Sequence, residues 1–135
     1  DVIRMVKEYA HSLKQRIEKE GLSGKTVIAS SMQREPLEWM GFNIAAEYGR
    51  AEAITTRELV KLTQTGRKYH VIMVVDNLQS GPDIGKGIAE SLGVPHIVLT
   101  NFPSEKGYTT TLQNNVEIIL SAVKTGKSKI NNQGS

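Results

Sequence analysis

Three short polar stretches hold most of the side chains with chemistry to offer. Ser30-Ser31-Met32-Gln33, Asp76-Asn77-Leu78-Gln79-Ser80 and Thr100-Asn101 each follow an apolar run. Hydroxyls and amides grouped in this way bind polar ligands by hydrogen bonds, and carboxylates hold cations or move protons. The carboxylates within reach are Glu35, Glu38, Asp76 and Asp83. Ser, Asn and Asp also shape caps and turns for purely local reasons. It is therefore the convergence of the three stretches, and no single residue, that marks a candidate site. The contacts to a ligand are expected from Ser31, Gln33, Glu38, Asp76, Asn77 and Thr100, with no catalytic residue among them.

Other chemistries fit the chain poorly. His11 lies between charged neighbours on a helix, and His70 and His96 fall at strand starts, at the edge of a sheet opposite to the polar stretches. On this reading no histidine reaches the candidate site, so neither a histidine-built zinc centre nor a Ser-His-Asp triad can form there. There is no cysteine, which excludes disulfides, thiolate metal sites and cysteine nucleophiles. Gly24-Lys25-Thr26 imitates the end of a phosphate-binding loop, but Lys19 stands where its first glycine belongs and the triplet precedes a strand. Gly81, Gly85 and Gly87 follow a strand and open a helix, a setting that suits an anion, with spacing that differs from G-x-G-x-x-G. Close helix–sheet packing explains these glycines equally well. Trp39, the single tryptophan, reads as a core or interface residue.

The elements that must position these residues alternate. Val2, Met5, Val6, Tyr9, Leu13 and Ile17 recur at steps of three and four, a helix that Gly21 and Gly24 stop. The spacing predicts a strand at Thr26–Ser30. A helix follows from Pro36, with Leu37, Met40, Gly41, Ile44, Ala45 and Tyr48 as its stripe and Gly49 as its stop. A weak strand is expected at Glu52–Ile54. Thr55 with Glu58 then has capping-box spacing for a helix that runs to Gly66. Val71–Val75 is nearly all apolar, as in a strand buried on both faces, and Asp76 to Gly81 reads as the loop after it. Pro82 to Leu92 reads as a helix, His96–Leu99 as a strand, and Tyr108, Leu112, Val116, Ile119, Leu120 and Val123 as the stripe of a last helix. Strand–helix alternation of this kind predicts a three-layer α/β fold, a four-stranded parallel sheet with helices on both faces. Ligands of such sheets bind beyond the carboxyl ends of the strands, where the three polar stretches meet.

The 135 residues suit one domain, placed at 1–123, with 124–135 as a flexible basic tail. A chain of this length buries roughly two-thirds of its unfolded surface, enough for a core. The charge of +3 comes from Lys124, Lys127 and Lys129, without which 14 basic residues face 14 acidic ones. A neutral body gives no support for nucleic-acid binding. No apolar run approaches the ~20 residues of a membrane helix, so no direct membrane insertion is expected. The chain begins at Asp1, inside a helix, and so reads as a processed product or an excised domain.

The order of pieces resembles a known family. A helix ending near Gly21, a strand at Lys25–Ser30, a helix closing in Glu47-Tyr48-Gly49, the strand Val71 to Val75, the helix before Gly93 and Val94-Pro95-His96-Ile97-Val98-Leu99 all recur in it. Tyr108 with Asn114 and Asn115 matches its closing helix. Over about residues 5–123 the chain resembles the C-terminal lobe of the zinc/manganese-type ABC-transporter solute-binding proteins. That family holds a divalent metal between two lobes joined by a long helix. The resemblance implies that residues 1–20 are the end of that helix. It implies a missing N-terminal lobe, a membrane ABC permease as partner, an extracytoplasmic location, and zinc or manganese as the ion to expect. Counting back from Tyr48-Gly49 carries the lobe's histidine position onto Glu38, or onto Met32-Gln33 with a longer loop. Its acidic position falls at Val75 with Asp76 one place on, and its aspartate at Thr100. Glu38 and Asp76 are thus the metal ligands the resemblance implies. With no histidine on those positions, the expected cargo widens to a metal chelate or a small polar solute. The alternative is a small α/β nucleotide-binding domain or enzyme using Asp76 and the Gly81–Gly87 helix start.

Overall fold

A computed structural model describes residues 2–50, 54–100, 111 and 113–123. The chain opens with α1 (Val2–Lys19), and the elements run β1 (Thr26–Ser30), a 3-10 turn at Ser31–Gln33, α2 (Arg34–Met40), β2 (Asn43–Tyr48) and α3 (Thr56–Lys68). They continue with β3 (Val74–Asn77), a second 3-10 turn at Leu78–Ser80, α4 (Lys86–Leu92) and β4 (His96–Leu99). A last helix, α5, covers 113–123. The tail at 124–135, Glu52, Asn101, Tyr108 and Leu112 lie outside the described residues.

All four strands are parallel, in the order β2-β1-β3-β4. The three-layer α/β architecture is the expected one. Alternation along the strands divides the core in two. Val27, Ala29, Val75, Ile97 and Leu99 pack with Leu13 and Ile17 of α1, Leu37 and Met40 of α2, and Val116, Ile119 and Leu120 of α5. Ile28 and Val74 face the other way, to Tyr48, Leu62 of α3 and Ile88 and Ala89 of α4. Thr55 caps α3 as its spacing predicts, accepting from the Glu58 N–H at 3.2 Å.

Two expectations shift. The helix opened by Pro36 was expected to reach Tyr48, and it stops at Met40 because Gly41 turns left-handed at φ 109°. An ordinary side chain rarely adopts that angle. Residues 43–48 then form β2, and Ile54, where the weak strand was expected to end, is irregular. Asn43 starts the new strand by donating from its side chain to Gly24 O at 2.9 Å and from its backbone to Lys25 O at 2.8 Å. β2 is an edge strand, half-buried in its middle, so Ala45, Ala46 and Glu47 are tolerated there. The third strand also moves along the chain. Its ladder lies at Val74–Asn77, starting three residues and ending two residues later than expected, which puts Asp76 and Asn77 inside the sheet.

Candidate functional site

The switch in strand order lies between β1 and β3, whose carboxyl ends lead into the two 3-10 turns. In a parallel sheet this is where a crevice opens. Gln33 and Asn77 meet there, and both are buried. The Gln33 Nε2 amide donates to Asn77 Oδ1 at 2.8 Å, and Asn77 Nδ2 donates to Ser80 Oγ at 2.9 Å. Gln33 Oε1 is buried with no hydrogen-bond partner. An orphaned buried acceptor costs about 1–3 kcal/mol, so its presence asks for an occupant. Ser31 is exposed on the first turn. Thr100 follows β4, where Asn115 of α5 clamps its backbone: Asn115 Oδ1 accepts from Thr100 N at 3.3 Å and Nδ2 donates to Thr100 O at 3.1 Å.

Asp76 belongs to a second network on the opposite face of the sheet, because successive strand residues point to opposite sides. Its carboxylate is fully buried and has three donors. Tyr48 Oη–H reaches Oδ1 while also lying 3.2 Å from Val75 O. Gly85 N–H donates to Oδ2 at 2.8 Å, and His96 Nε2 lies 2.5 Å from the same oxygen. The carboxylate opposite requires the hydrogen on that ring nitrogen. Both oxygens of Asp76 are therefore engaged inside the fold, tying β2, β3 and β4 to the start of α4.

The predicted residues thus separate. Gln33 and Asn77 come together; Ser31 and Thr100 stand at the same edge of the sheet. Asp76 lies across the sheet from Asn77. Glu38 is exposed on α2 and paired with Arg34 at 2.5 Å, which also reaches Glu47 at 3.3 Å. The structure does not bring Glu38 and Asp76 to one point. Among the described residues no group of three or more His, Cys, Asp or Glu is arranged to hold a metal ion. The expectation that no histidine approaches these residues is corrected: His96, though at the start of β4 and in register with Val74, reaches Asp76. The later start of β3 is the reason, because it sets Asp76 two places along from Val74 on the same face. Sequence reasoning also missed Tyr48, Ser80 and Asn115 as partners. For Tyr48 the obstacle was its assignment to a helix.

Burial, and then the hydrogen bond to Asp76, push the Tyr48 phenol well above its ordinary range. The folded chain keeps this proton where the unfolded chain loses it, so the contribution is full below about pH 10 and falls away above it. Between about pH 9 and 11, urea unfolding should show stability falling by up to about 1.4 kcal/mol per pH unit more in the wild type than in Tyr48→Phe. Parallel profiles of the two proteins would remove Tyr48 as the cause.

Of the glycines around the start of α4, Gly85 has a packing explanation. A Cβ on Gly85 would stand 2.5 Å from Val74 Cγ1, 2.9 Å from Tyr48 Oη and 3.1 Å from Asp76 Oδ2. The glycine is required by the close approach of the loop to the sheet, without any bound phosphate.

No family model matches the chain, and no curated protein matches it. Solved structures share its fold. The laminin-binding protein Lbp of Streptococcus pyogenes superposes with a TM-score of 0.65 at 18% identity, over 87% of this chain and 48% of that one. A Zn(II)-bound mutant of AdcAII from Streptococcus pneumoniae gives 0.59 at 18% identity, over 90% and 47%. The Mn-bound periplasmic metal binding protein of Candidatus Liberibacter asiaticus gives 0.66 at 14% identity, over 89% and 48%. The chain spans about half the length of these proteins, and what it shares with them is the fold.

Proposed function

We propose that the chain is a ligand-binding lobe of a metal-type ABC-transporter solute-binding protein, and that it works by binding, without catalysis. Its ligand sits at the carboxyl edge of the sheet, held by Ser31, Gln33, Asn77 and Thr100. Asp76 supports that edge from beneath, and Glu38 stands on the exposed face of α2. The cargo is a divalent metal such as zinc or manganese, carried as a hydrated ion or chelate, or a small polar solute. A second lobe closes over it, and a membrane permease receives it, outside the cytoplasm. The observation that carries this reading is the convergence of uncharged polar groups, one of them an orphaned acceptor, at the β1/β3 switch point. The fold shared with Zn(II)-bound AdcAII and with the Mn-bound periplasmic metal binding protein supports the choice of cargo.

Titration with Mn(II), whose unpaired electrons broaden nearby amide resonances, tests the location. Broadening should centre on residues 30–33, 77–80 and 100. The affinity should be weaker than micromolar, because the donors are uncharged: zinc lacks an imidazole or thiolate there, and manganese, which oxygen suits, lacks a carboxylate. Broadening centred on His11, His70 or the lysines of the tail would overturn the placement, and sub-micromolar zinc affinity would overturn the ligand set.

A further inference from the structure

The side chains at the carboxyl edge differ in what they have left to give. Asp76 has both oxygens occupied, by Tyr48, Gly85 and His96. Glu38 is held by Arg34. The amide chain is directional: Gln33 donates to Asn77, and Asn77 donates to Ser80. Both polar atoms of the Asn77 side chain are used. What remains is an acceptor at one end, Gln33 Oε1, and the hydroxyl hydrogen of Ser80 at the other.

Resting on the reading of this edge as the ligand site, we infer that the Gln33–Asn77–Ser80 chain recognises its ligand through a hydrogen-bond donor that points at Gln33 Oε1, and makes no direct bond to a metal. A neutral amide oxygen accepts O–H and N–H groups well, and by itself it does not close a zinc or manganese site. Asp76 and Glu38 are already engaged, and among the described residues no group of three or more His, Cys, Asp or Glu is arranged to hold a naked ion. The ligand class is one that carries its donors on the outside: a cation with its water shell intact, or a hydroxyl-bearing solute. Gln33 itself is buried, while its neighbours Ser31 and Met32, and Leu78 beside Asn77, are exposed. The amide chain spans both turns, so it couples the carboxyl end of β1 to that of β3.

Three probes separate the sources, each titrated into the full 135-residue chain by calorimetry with melting temperature as a second readout. Hexaamminecobalt(III) presents N–H donors around a cation and does not exchange its ligands. Erythritol presents hydroxyls without charge. Mn(II) alone is free to bind either way. Wild type should bind hexaamminecobalt(III) or erythritol, and whichever binds names the source of the donor. Gln33→Met, which removes the acceptor at similar volume, should weaken that binding at least tenfold; Gln33→Glu, which keeps an acceptor oxygen, should not. Should the methionine variant fail to fold, glutamate carries the test: its charged oxygen is the stronger acceptor, so the bound probe must gain affinity at least threefold. Mn(II) binding without either outer-shell probe overturns the inference, as does any binding indifferent to both Gln33 variants. Those two results leave the edge intact as a ligand site if amide perturbations still centre there. Absence of binding by all three probes removes the inference and the site together.

Discussion

Asp76→Ala should destabilise the chain by about 3 kcal/mol, measured as the shift in urea midpoint at constant slope. The substitution strands the Gly85 N–H in a buried loop, and such an orphan costs about 1–3 kcal/mol. It also removes the buried oxygen that His96 lies against at 2.5 Å. Tyr48 is spared in part, because its hydroxyl can turn fully to Val75 O, already 3.2 Å away. Asp76→Asn should cost less, about 1 kcal/mol. The amide oxygen can still accept from Gly85 and His96, and its NH2 can donate to Tyr48 once that hydroxyl donates to Val75 O. The two substitutions together separate roles. A residue that holds ligand at the surface of the cleft would lose affinity and keep stability; the buried network requires the reverse order. An Asp76→Ala variant within about 0.5 kcal/mol of wild type, the range of ordinary surface changes, would show that the network carries no weight.

The layered parallel fold was legible because its strands are short apolar runs and its helices carry stripes at helical spacing. Thr26–Ser30 and His96–Leu99 lie in the structure at the bounds expected of them. What failed was local. Ile44, Ala45 and Tyr48 continue the stripe of Leu37 and Met40, and nothing in hydrophobic period alone distinguishes that run from a longer helix. Gly41 is the physical discriminator, and a glycine inside a helical stripe admits both readings. Tertiary pairing settles it: Lys25 O and Gly24 O each take a hydrogen bond from Asn43, so the chain leaves α2 already committed to β1. This one reassignment changes the site. It moves Tyr48 from a helix onto an edge strand facing Asp76, and it removes Tyr48-Gly49 as the helix end from which Glu38 was counted.

The candidate site was legible in part, for a related reason. Adjacent residues Asp76 and Asn77 look like one polar patch in a loop and become two separate networks in a strand. The apolar run Val71–Val75 drew the expected strand too early, because burial and ladder pairing need not coincide: Ile72 and Met73 already bond to β1 at 2.9 and 3.3 Å ahead of the regular ladder. The amide pair Gln33–Asn77 lies 44 residues apart in the chain, and only the adjacency of β1 and β3 brings it together.

Gly85→Ala should cost about 3–4 kcal/mol, and Gly87→Ala, two residues on, should add about 0.5–1 kcal/mol of stability. The opposite signs follow from what each new methyl meets. At Gly85 the nearest atom is Val74 Cγ1 at 2.5 Å, on a fully buried β-branched side chain with little freedom to move. Overpacking of this kind costs about 1–3 kcal/mol, and backing the loop away also lengthens the Gly85 bond to Asp76, worth about 1 kcal/mol more. At Gly87 nothing lies within 4 Å, and the residue is inside α4, where alanine is favoured over glycine by about 0.5–1 kcal/mol. A phosphate cradle would give a different result. There the cost of a methyl falls on the bound anion, so both variants would fold normally and differ only in nucleotide affinity. Stability measured by urea unfolding, with ATP present and absent, distinguishes the two. A Gly85→Ala chain as stable as wild type that loses a nucleotide-induced shift would restore the helix start as a phosphate site. A destabilised Gly85→Ala beside a stabilised Gly87→Ala, neither responding to ATP, assigns Gly85 to the sheet contact that keeps Asp76 buried and leaves ligand recognition to the opposite face.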